Sequence, residues 1–165
     1  MMQIILRFAK MLGAALVVWI GIWVFNNYGC QKIESKEMEP TLKAESHKMI
    51  DPKIRSVEDL KSDDLVSFTY NHPGKSQSVF AARVIGLPGD RVEIKLGEVY
   101  VNGSKIGSNY VSANSKNDTK ENYAEIIVPR ESVYVLCDNR RAFDKTDSRG
   151  IGPIGIWTLN GKFSK

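Results

Sequence analysis

The chain is poor in the residue types from which metal centres and disulfide frameworks are built. Its 165 residues include two cysteines, Cys30 and Cys137, and two histidines, His47 and His72. Two cysteines do not make a disulfide framework, and neither histidine stands at a metal-ligand spacing. We therefore expect no metal site and no cofactor, and the scarcity of histidine argues against a Ser-His-Asp triad.

Neither positive nor negative charge is concentrated in any one part of the sequence. The formal net charge is +4, and the charged residues, 25% of the chain, are interspersed without a basic block or interleaved aromatics. This pattern is typical of a solvated surface and does not predict nucleic-acid binding. The hydrophobic fraction of 42% excludes wholesale disorder.

One long hydrophobic run stands near the N-terminus, "LGAALVVWIGIWVF" at residues 12–25. Extended backwards past Lys10, whose side chain can snorkel, it is long enough to span a bilayer as a helix. Trp19 and Trp23 add the aromatics common at a membrane interface, and the preceding basic residues favour a cytoplasmic N-terminus. The sequence predicts one transmembrane helix within residues 4–26, in the cytoplasmic (inner) membrane, with the rest of the chain extracytoplasmic.

Two other interpretations of this run remain open. A cleaved signal peptide would have to be cut near Asn27-Tyr28-Gly29, which is a poor small-x-small site. A lipoprotein anchor on Cys30 has Gly29 in its favour, but Asn27 stands where an aliphatic residue is usual.

Strand patterns dominate after residue 30. Leu96-Gly97 predicts a hairpin, a single helical turn is expected around residues 56–60, and the polar run 112–122 reads as a surface loop or flap. We expect an N-terminal anchor, residues 1–30, and one all-β domain, residues 31–165, forming a coiled antiparallel sheet or barrel. The predicted strands fall within residues 64–70, 78–86, 91–95, 98–103, 124–129 and 132–137, with a last short strand near the C-terminus.

Three segments follow the hydrophobic run in order: "SKEMEPTL" at 35–42, "ARVIGLPGD" at 82–90, and "CDNRRAFDKTDSRGIG" at 137–152. Each alone could be structural, because "GLPGD" is a good turn and "DNR" and "DSR" could pair across a bend. As an ordered set they resemble the type I signal peptidase (leader peptidase) family, membrane-anchored serine proteases that remove signal peptides from exported proteins. The resemblance implies the signal-peptidase β-fold.

The resemblance also implies where a catalytic site would lie. The family's nucleophilic serine precedes the methionine of the first segment, and here Glu37 precedes Met38. The family's general base is a lysine before the arginine of the second segment, and here Ala82 precedes Arg83. Ser35 matches a serine that helps hold the oxyanion. The remaining implied residues are Met38, Pro40 and Arg83 for binding, and, as structural positions, Gly89, Asp90, Asp138, Asn139, Arg140, Asp147, Ser148 and Arg149.

The third segment departs from the family pattern as well. Cys137 replaces a glycine, and the stretch between Arg140 and Asp147 is two residues longer than is usual. Lys145 then falls where a serine supports the catalytic lysine. We expect Glu37 to form an ion pair with Lys145 that closes the former catalytic cleft, the alternative being a shallow cleft in which Glu37 faces water.

Three functional hypotheses follow. The first is an inactive homologue that binds peptides or serves as an accessory subunit of a membrane complex. The second is an active endopeptidase with a rearranged dyad, in which Ser35, Ser148 or Thr146 attacks and Lys145 is the base. If Ser35 attacks, the nucleophile is displaced by roughly 7 Å along an extended segment from the position it has in the family. The third is an anchored β-domain without a peptide-related role.

Overall fold

The computed structural model consists of a long N-terminal helix followed by eleven described strands in two antiparallel sheets. It describes residues 2–27, 29–71, 77–107, 109, 111, 121–141 and 146–164. The helices are α1 Met2–Asn27 and α2 Ser148–Ile151, with 3-10 turns at Val57–Asp59 and Ile156–Thr158. The strands are β1 Gly29–Ile33, β2 Ser46–Asp51, β3 Leu65–Tyr70, β4 Ser78–Gly86, β5 Arg91–Lys95, β6 Glu98–Val101, β7 Ser104–Lys105, β8 Tyr123–Ile127, β9 Ser132–Leu136, β10 Ile154–Gly155 and β11 Leu159–Phe163.

Helix α1 confirms the helix predicted within residues 4–26. The large apolar side chains of α1 whose exposure the structure describes lie mostly in solvent, among them Leu12, Leu16, Trp19 and Trp23. Among the residues that the structure describes, no helix has the length and apolar character needed to cross a membrane. The predicted membrane crossing is therefore not seen in the structure.

The larger sheet has the strand order β1-β2-β11-β3-β4-β9-β10, and the smaller sheet has the order β7-β6-β5-β8. Every described pair is antiparallel, which confirms the all-β prediction for the part of the chain after α1. Neither described sheet closes on itself. Of the two predicted forms, a coiled sheet and a barrel, the structure therefore shows the open sheet.

The turns of the smaller sheet follow directly from local sequence. Leu96 and Gly97 adopt φ angles of 50° and 79°, and Asn102 and Gly103 adopt 53° and 79°. Two successive positive φ angles are the signature of the two-residue turn whose twist suits a hairpin, and Asn-Gly is its favoured sequence. The Asn102 side chain also accepts a hydrogen bond from the Arg91 backbone N–H at 2.9 Å. The predicted β5–β6 hairpin is thus confirmed.

Side-chain alternation along two central strands divides the core into three clusters. On β9, Val133 and Val135 pack with Val66 and Phe68. Tyr134 and Leu136 lie on the other face of β9 and pack with residues of the smaller sheet. The third cluster lies beneath the segment before β2. It contains Ile33, Met38, Leu42, Ile50, Ala81, Cys137 and Phe163. This third cluster fixes the position of the first sequence motif.

The sequence did not predict β1 and β2, "GCQKI" and "SHKMID", because they are short and carry many polar residues. Their pairing in register from Gly29↔Ile50 to Ile33↔Ser46 is a tertiary feature. The 3-10 turn at Val57–Asp59 lies where one helical turn was expected. The predicted loop at 112–122 lies almost wholly outside the described residues.

Candidate functional site

The first motif, residues 35–42, packs against the start of the third motif, residues 137–152; the second motif is residues 82–90. The Asn139 backbone N–H donates to the Glu37 carbonyl at 2.8 Å, and the Asn139 side chain donates to the Lys36 carbonyl at 3.2 Å. The Asp138 backbone N–H donates to Met38 Sδ at 3.4 Å, and Met38 is 1% exposed. The structure therefore brings together two segments about a hundred residues apart in the chain.

The Glu37 side chain is buried in this junction, with 6% of its surface exposed. Its Oε1 accepts a hydrogen bond of 3.1 Å from the Thr146 hydroxyl, and Thr146 is itself buried. The alternative in which Glu37 faces water is therefore wrong. Lys145, the expected ion-pair partner of Glu37, lies outside the described residues, so that pairing stays a prediction.

The other position of the implied dyad, Ala82, lies in the apolar interior. It pairs with Val66 across β3 and β4 and packs in the cluster that also holds Val84 and Val135. Its neighbour Ala81 points to the opposite face and packs with Met38 in the cluster beneath the first motif. A methyl group at position 82 can neither accept nor donate a proton.

The remaining residues of the first motif differ in accessibility. Ser35 is half-buried and Pro40 is exposed, so both are reachable from the surface. Thr41 is the motif residue whose role the sequence did not indicate. Its hydroxyl donates to the Asp138 carboxylate, which joins this motif to the third one by a side-chain bond.

Arg83 makes the main ionic contact of the second motif. Its Nε and Nη2 donate to the two carboxylate oxygens of Asp138 at 2.8 and 2.6 Å, and both residues are buried. Arg83 Nη1 also donates to the Asp63 carbonyl at 3.3 Å. A bidentate pair of this kind combines charge with fixed geometry. Arg83 thus joins the second and third motifs, and the binding role implied for it stays a prediction.

Asp147 and Arg149 form a second buried ion pair. Asp147 caps α2 by accepting from the Arg149 backbone N–H at 3.0 Å, and its other oxygen accepts from the Cys137 backbone N–H at 3.0 Å. Arg149 Nη2 reaches the same carboxylate at 2.8 Å. Burial lowers the pKa of Arg149, but the hydrogen bonds and charge of Asp147 outweigh that effect and raise it.

Two more residues of the third motif complete this scaffold. Ser148 Oγ accepts a hydrogen bond of 2.8 Å from the Val135 backbone N–H, which ties α2 to β9. The Arg140 carbonyl accepts from Arg149 Nη1 at 3.2 Å. These contacts join "DNR" to "DSR" and "DSR" to β9, and the Asn139 backbone joins "DNR" to the Glu37 carbonyl.

Cys137 is buried and is not suited to act as a nucleophile. Burial raises the pKa of its thiol, and the negative charges of Asp147 and Glu37 raise it further. The neutral thiol packs as a small apolar group in the cluster with Met38. Among the described residues, no group of three or more His, Cys, Asp or Glu is placed to hold a metal ion.

The second motif ends in the turn that its sequence suggested. Gly89 adopts a φ of 87°, and Asp90 accepts a hydrogen bond of 2.8 Å from the Leu87 backbone N–H. The Gly89 N–H donates to the Val128 carbonyl at 2.9 Å, which links this turn to the end of β8. Gly89 and Asp90 therefore lie in a hydrogen-bonded turn, and the structural role implied for them stays a prediction.

An open groove of about 690 Å³ includes in its lining Glu34, the residue directly before the first motif. We call it the β1–β4 groove, because residues of β1 and residues at the start of β4 contribute to its lining. Most of its lining residues are polar or charged. Its lining residues are Cys30, Gln31, Lys32, Glu34, Ile50, Gln77, Ser78, Val79 and Asn160. The groove is open to solvent and is not an enclosed cavity.

Comparison with known proteins shows the family to which this chain belongs. A family model described as signal peptidase, peptidase S26, matches residues 4–164. Signal peptidase I of Bacillus amyloliquefaciens is 30% identical over 156 residues, which cover 91% of this chain and 78% of that protein. Probable signal peptidase I-2 of a Synechocystis strain is 33% identical over 138 residues, which cover 82% of this chain and 61% of that protein.

A solved structure gives the same result for the fold. The crystal structure of a signal peptidase I from Enterococcus faecalis superimposes with a TM-score of 0.52 at 27% identity, covering 64% of this chain and 97% of that one. The fold class is thus that of the signal peptidase β-domain. The chain belongs to the signal peptidase family, peptidase S26.

Proposed function

We propose that this chain is a membrane-associated signal peptidase homologue that binds extended polypeptide segments without cutting them. The observation that carries the proposal is the position and burial of Glu37. It stands where the family resemblance implies a nucleophilic serine, and its carboxylate is buried and hydrogen-bonded to Thr146.

The chemistry of both dyad positions supports the loss of proteolysis. A carboxylate is a poor nucleophile toward an amide, and its negative charge opposes the oxyanion that forms during acyl transfer. At the other position Ala82 offers no base. Losing nucleophile and base together removes several orders of magnitude in rate.

Peptide binding is supported by the β1–β4 groove and by the edge beside it. Among the described strands β1 is outermost in its sheet and pairs only with β2, so its other edge has backbone groups available to a further strand. An extended segment of an exported protein, or of another subunit of a membrane complex, fits this surface.

The alternative of a rearranged dyad has less support. The hydroxyls of Thr146 and Ser148 are both buried and engaged, with Glu37 and with the Val135 backbone N–H respectively. Ser35 is the more accessible of the three hydroxyls. Activity through Ser35 would still require a base, and Lys145, the residue suggested for that role, lies outside the described residues.

Membrane association is supported by the exposed apolar side chains of α1. We propose that α1 holds the chain in the cytoplasmic membrane with the β-domain outside. In a Cys30→Ser background, a Ser104→Cys variant in intact cells should react with a membrane-impermeant thiol reagent. Labelling that requires permeabilised cells would reverse the proposed orientation.

A binding measurement tests the peptide proposal. A fluorescent signal-peptide segment should show raised anisotropy with the detergent-solubilised full chain, and Val79→Lys, in the groove, should weaken binding at least tenfold. Leu96→Lys is the matched control, because Leu96 is exposed like Val79 but lies in the smaller sheet. Equal affinity for both variants would contradict binding in the groove.

A further inference from the structure

Three side chains that can bind metal ions lie on one face of the β1–β2 pair. Cys30 is directly opposite Met49, and His47 lies two residues before Met49 on β2. Residues two apart on a strand point to the same face of the sheet, and so do residues directly opposite each other on paired strands. The strand register therefore places a thiol, a thioether and an imidazole side by side on one face of the larger sheet.

This face of the β1–β2 pair is open to solvent. Cys30 and His47 are exposed, and Met49 has 46% of its surface exposed. The three described core clusters include none of these residues. Packing in the interior therefore does not account for their shared position, and all three side chains are accessible to an ion from solution.

An ion pair beside these residues shows that side chains of β1 and β2 reach each other diagonally. Lys32 is opposite His47, and its Nζ lies 2.7 Å from an oxygen of Glu45, two residues before His47. Cys30 and His47 have the same diagonal relation, because Cys30 is opposite Met49. Glu45 also offsets the positive charge of Lys32, which reduces the repulsion between Lys32 and a cation bound on this face.

We propose that Cys30, Met49 and His47 form a binding site for a soft monovalent metal ion, Cu(I). Thiolate and thioether sulfur select Cu(I), and imidazole nitrogen also suits copper. Cys30 binds as the thiolate and releases its proton to water, while the thioether of Met49 and the neutral imidazole of His47 each donate a lone pair. The single thiolate balances the single positive charge of the ion.

The composition of this site explains why the spacing of residues along the sequence did not predict it. Its ligands come from two strands that are brought together only by folding. Because methionine supplies one ligand, the set differs from a centre built only of His, Cys, Asp and Glu, of which the described residues hold none. The site requires neither membrane attachment nor a peptide in the β1–β4 groove, so it is independent of the proposed function.

The test is an anaerobic titration of the reduced full chain in detergent with Cu(I), in competition with the chromogenic chelator bicinchoninate. We expect one Cu(I) per chain, and X-ray absorption at the copper edge should show two sulfur neighbours and one nitrogen neighbour. Met49→Leu and His47→Gln should each weaken binding by about tenfold or more, because each removes one of three ligands. Lys48→Gln is the matched control and should bind as tightly as the unaltered chain, because Lys48 lies between these two ligands on β2 but points to the other face.

Alkylation gives a second measurement on the same chain. Cu(I) should protect Cys30 from iodoacetamide in the unaltered chain and in Lys48→Gln, but not in the double variant Met49→Leu, His47→Gln. About a hundredfold excess of Zn(II) should leave Cu(I) bound, because a thioether is a poor ligand for zinc.

Three results would overturn the site. The first is that bicinchoninate retains all of the Cu(I). The second is that Cys30→Ser abolishes binding while Met49→Leu and His47→Gln bind as tightly as the unaltered chain, which would identify a lone reactive thiol. The third is displacement of Cu(I) by Zn(II), which would overturn the assignment to a soft ion. Far-ultraviolet circular dichroism checks that each variant is folded.

Discussion

Replacing Thr146 by valine removes the hydroxyl that donates to Glu37 while conserving side-chain shape. The donor and acceptor are 3.1 Å apart, and both residues are buried. A hydrogen bond to a charged group contributes about 1.5 to 3 kcal/mol, and water cannot readily replace it at this site. We therefore expect Thr146→Val to lower the free energy of unfolding by about 1.5 to 3 kcal/mol. For a chain of this length the melting temperature should fall by about 3 to 12 °C.

The assay is urea or thermal unfolding of the full chain in detergent, followed by circular dichroism. Thr146→Ser is the matched control, because it retains the hydroxyl and loses about one methyl group, a cost near 1 kcal/mol. A cycle with Glu37→Leu isolates the pair, since Thr146→Val should cost far less once the carboxylate is absent. A Thr146→Val variant as stable as the Thr146→Ser control, or a cycle with no coupling, would refute the reasoning.

Two further predictions concern other buried groups. Arg83→Met should destabilise the chain by about 3 to 5 kcal/mol, because it leaves the Asp138 carboxylate buried without its main partner. The control is Lys105→Met, at an exposed ion pair, which should change stability by less than about 1 kcal/mol. An unfolding titration that finds equal effects would contradict this ranking. Because burial raises the pKa of Cys137, the folded chain should react with iodoacetamide at Cys30 alone, as peptide mass spectrometry can show.

Because burial raises the pKa of Cys137, this thiol should make the folded chain less stable as the pH rises. Above the ordinary thiol value of 9.0 the unfolded chain releases this proton while the folded chain retains it. The contribution of Cys137 to stability is thus fully present below that pH and is lost as pH rises above it. Cys137→Ala should flatten the fall in stability measured by urea unfolding between pH 8 and 10; an unchanged slope would count against burial of the thiol.

The strands that the sequence predicted well are those whose signals are local. Residues 78–86 and 91–95 match β4 and β5 because they are rich in β-branched and apolar residues and end at strong turn residues. Strands β1 and β2 have no such signal, because they are short, partly polar and stabilised by each other and by β11. Periodicity could not have found them.

The candidate site was predictable in position but not in its contacts. Family resemblance pointed to Glu37 and Ala82 from the residues beside them, Met38 and Arg83. The bond between Thr146 and Glu37 joins residues 109 apart in the chain, and no pattern in one sequence encodes such a pair. The hypothesis of a rearranged dyad makes Thr146 a nucleophile, whereas the structure shows its hydroxyl donating to Glu37.

The central claim, that the chain binds without cutting, is tested most directly by incubating the purified full chain in detergent with a preprotein that carries an Ala-x-Ala cleavage site. The chain is used in excess over the preprotein, and the product is read by intact-mass spectrometry. The account predicts that the preprotein remains whole after a time in which an active signal peptidase I, run in parallel, cuts it completely. Cleavage at the expected bond, abolished by Ser35→Ala, would contradict the account and establish a rearranged catalytic site.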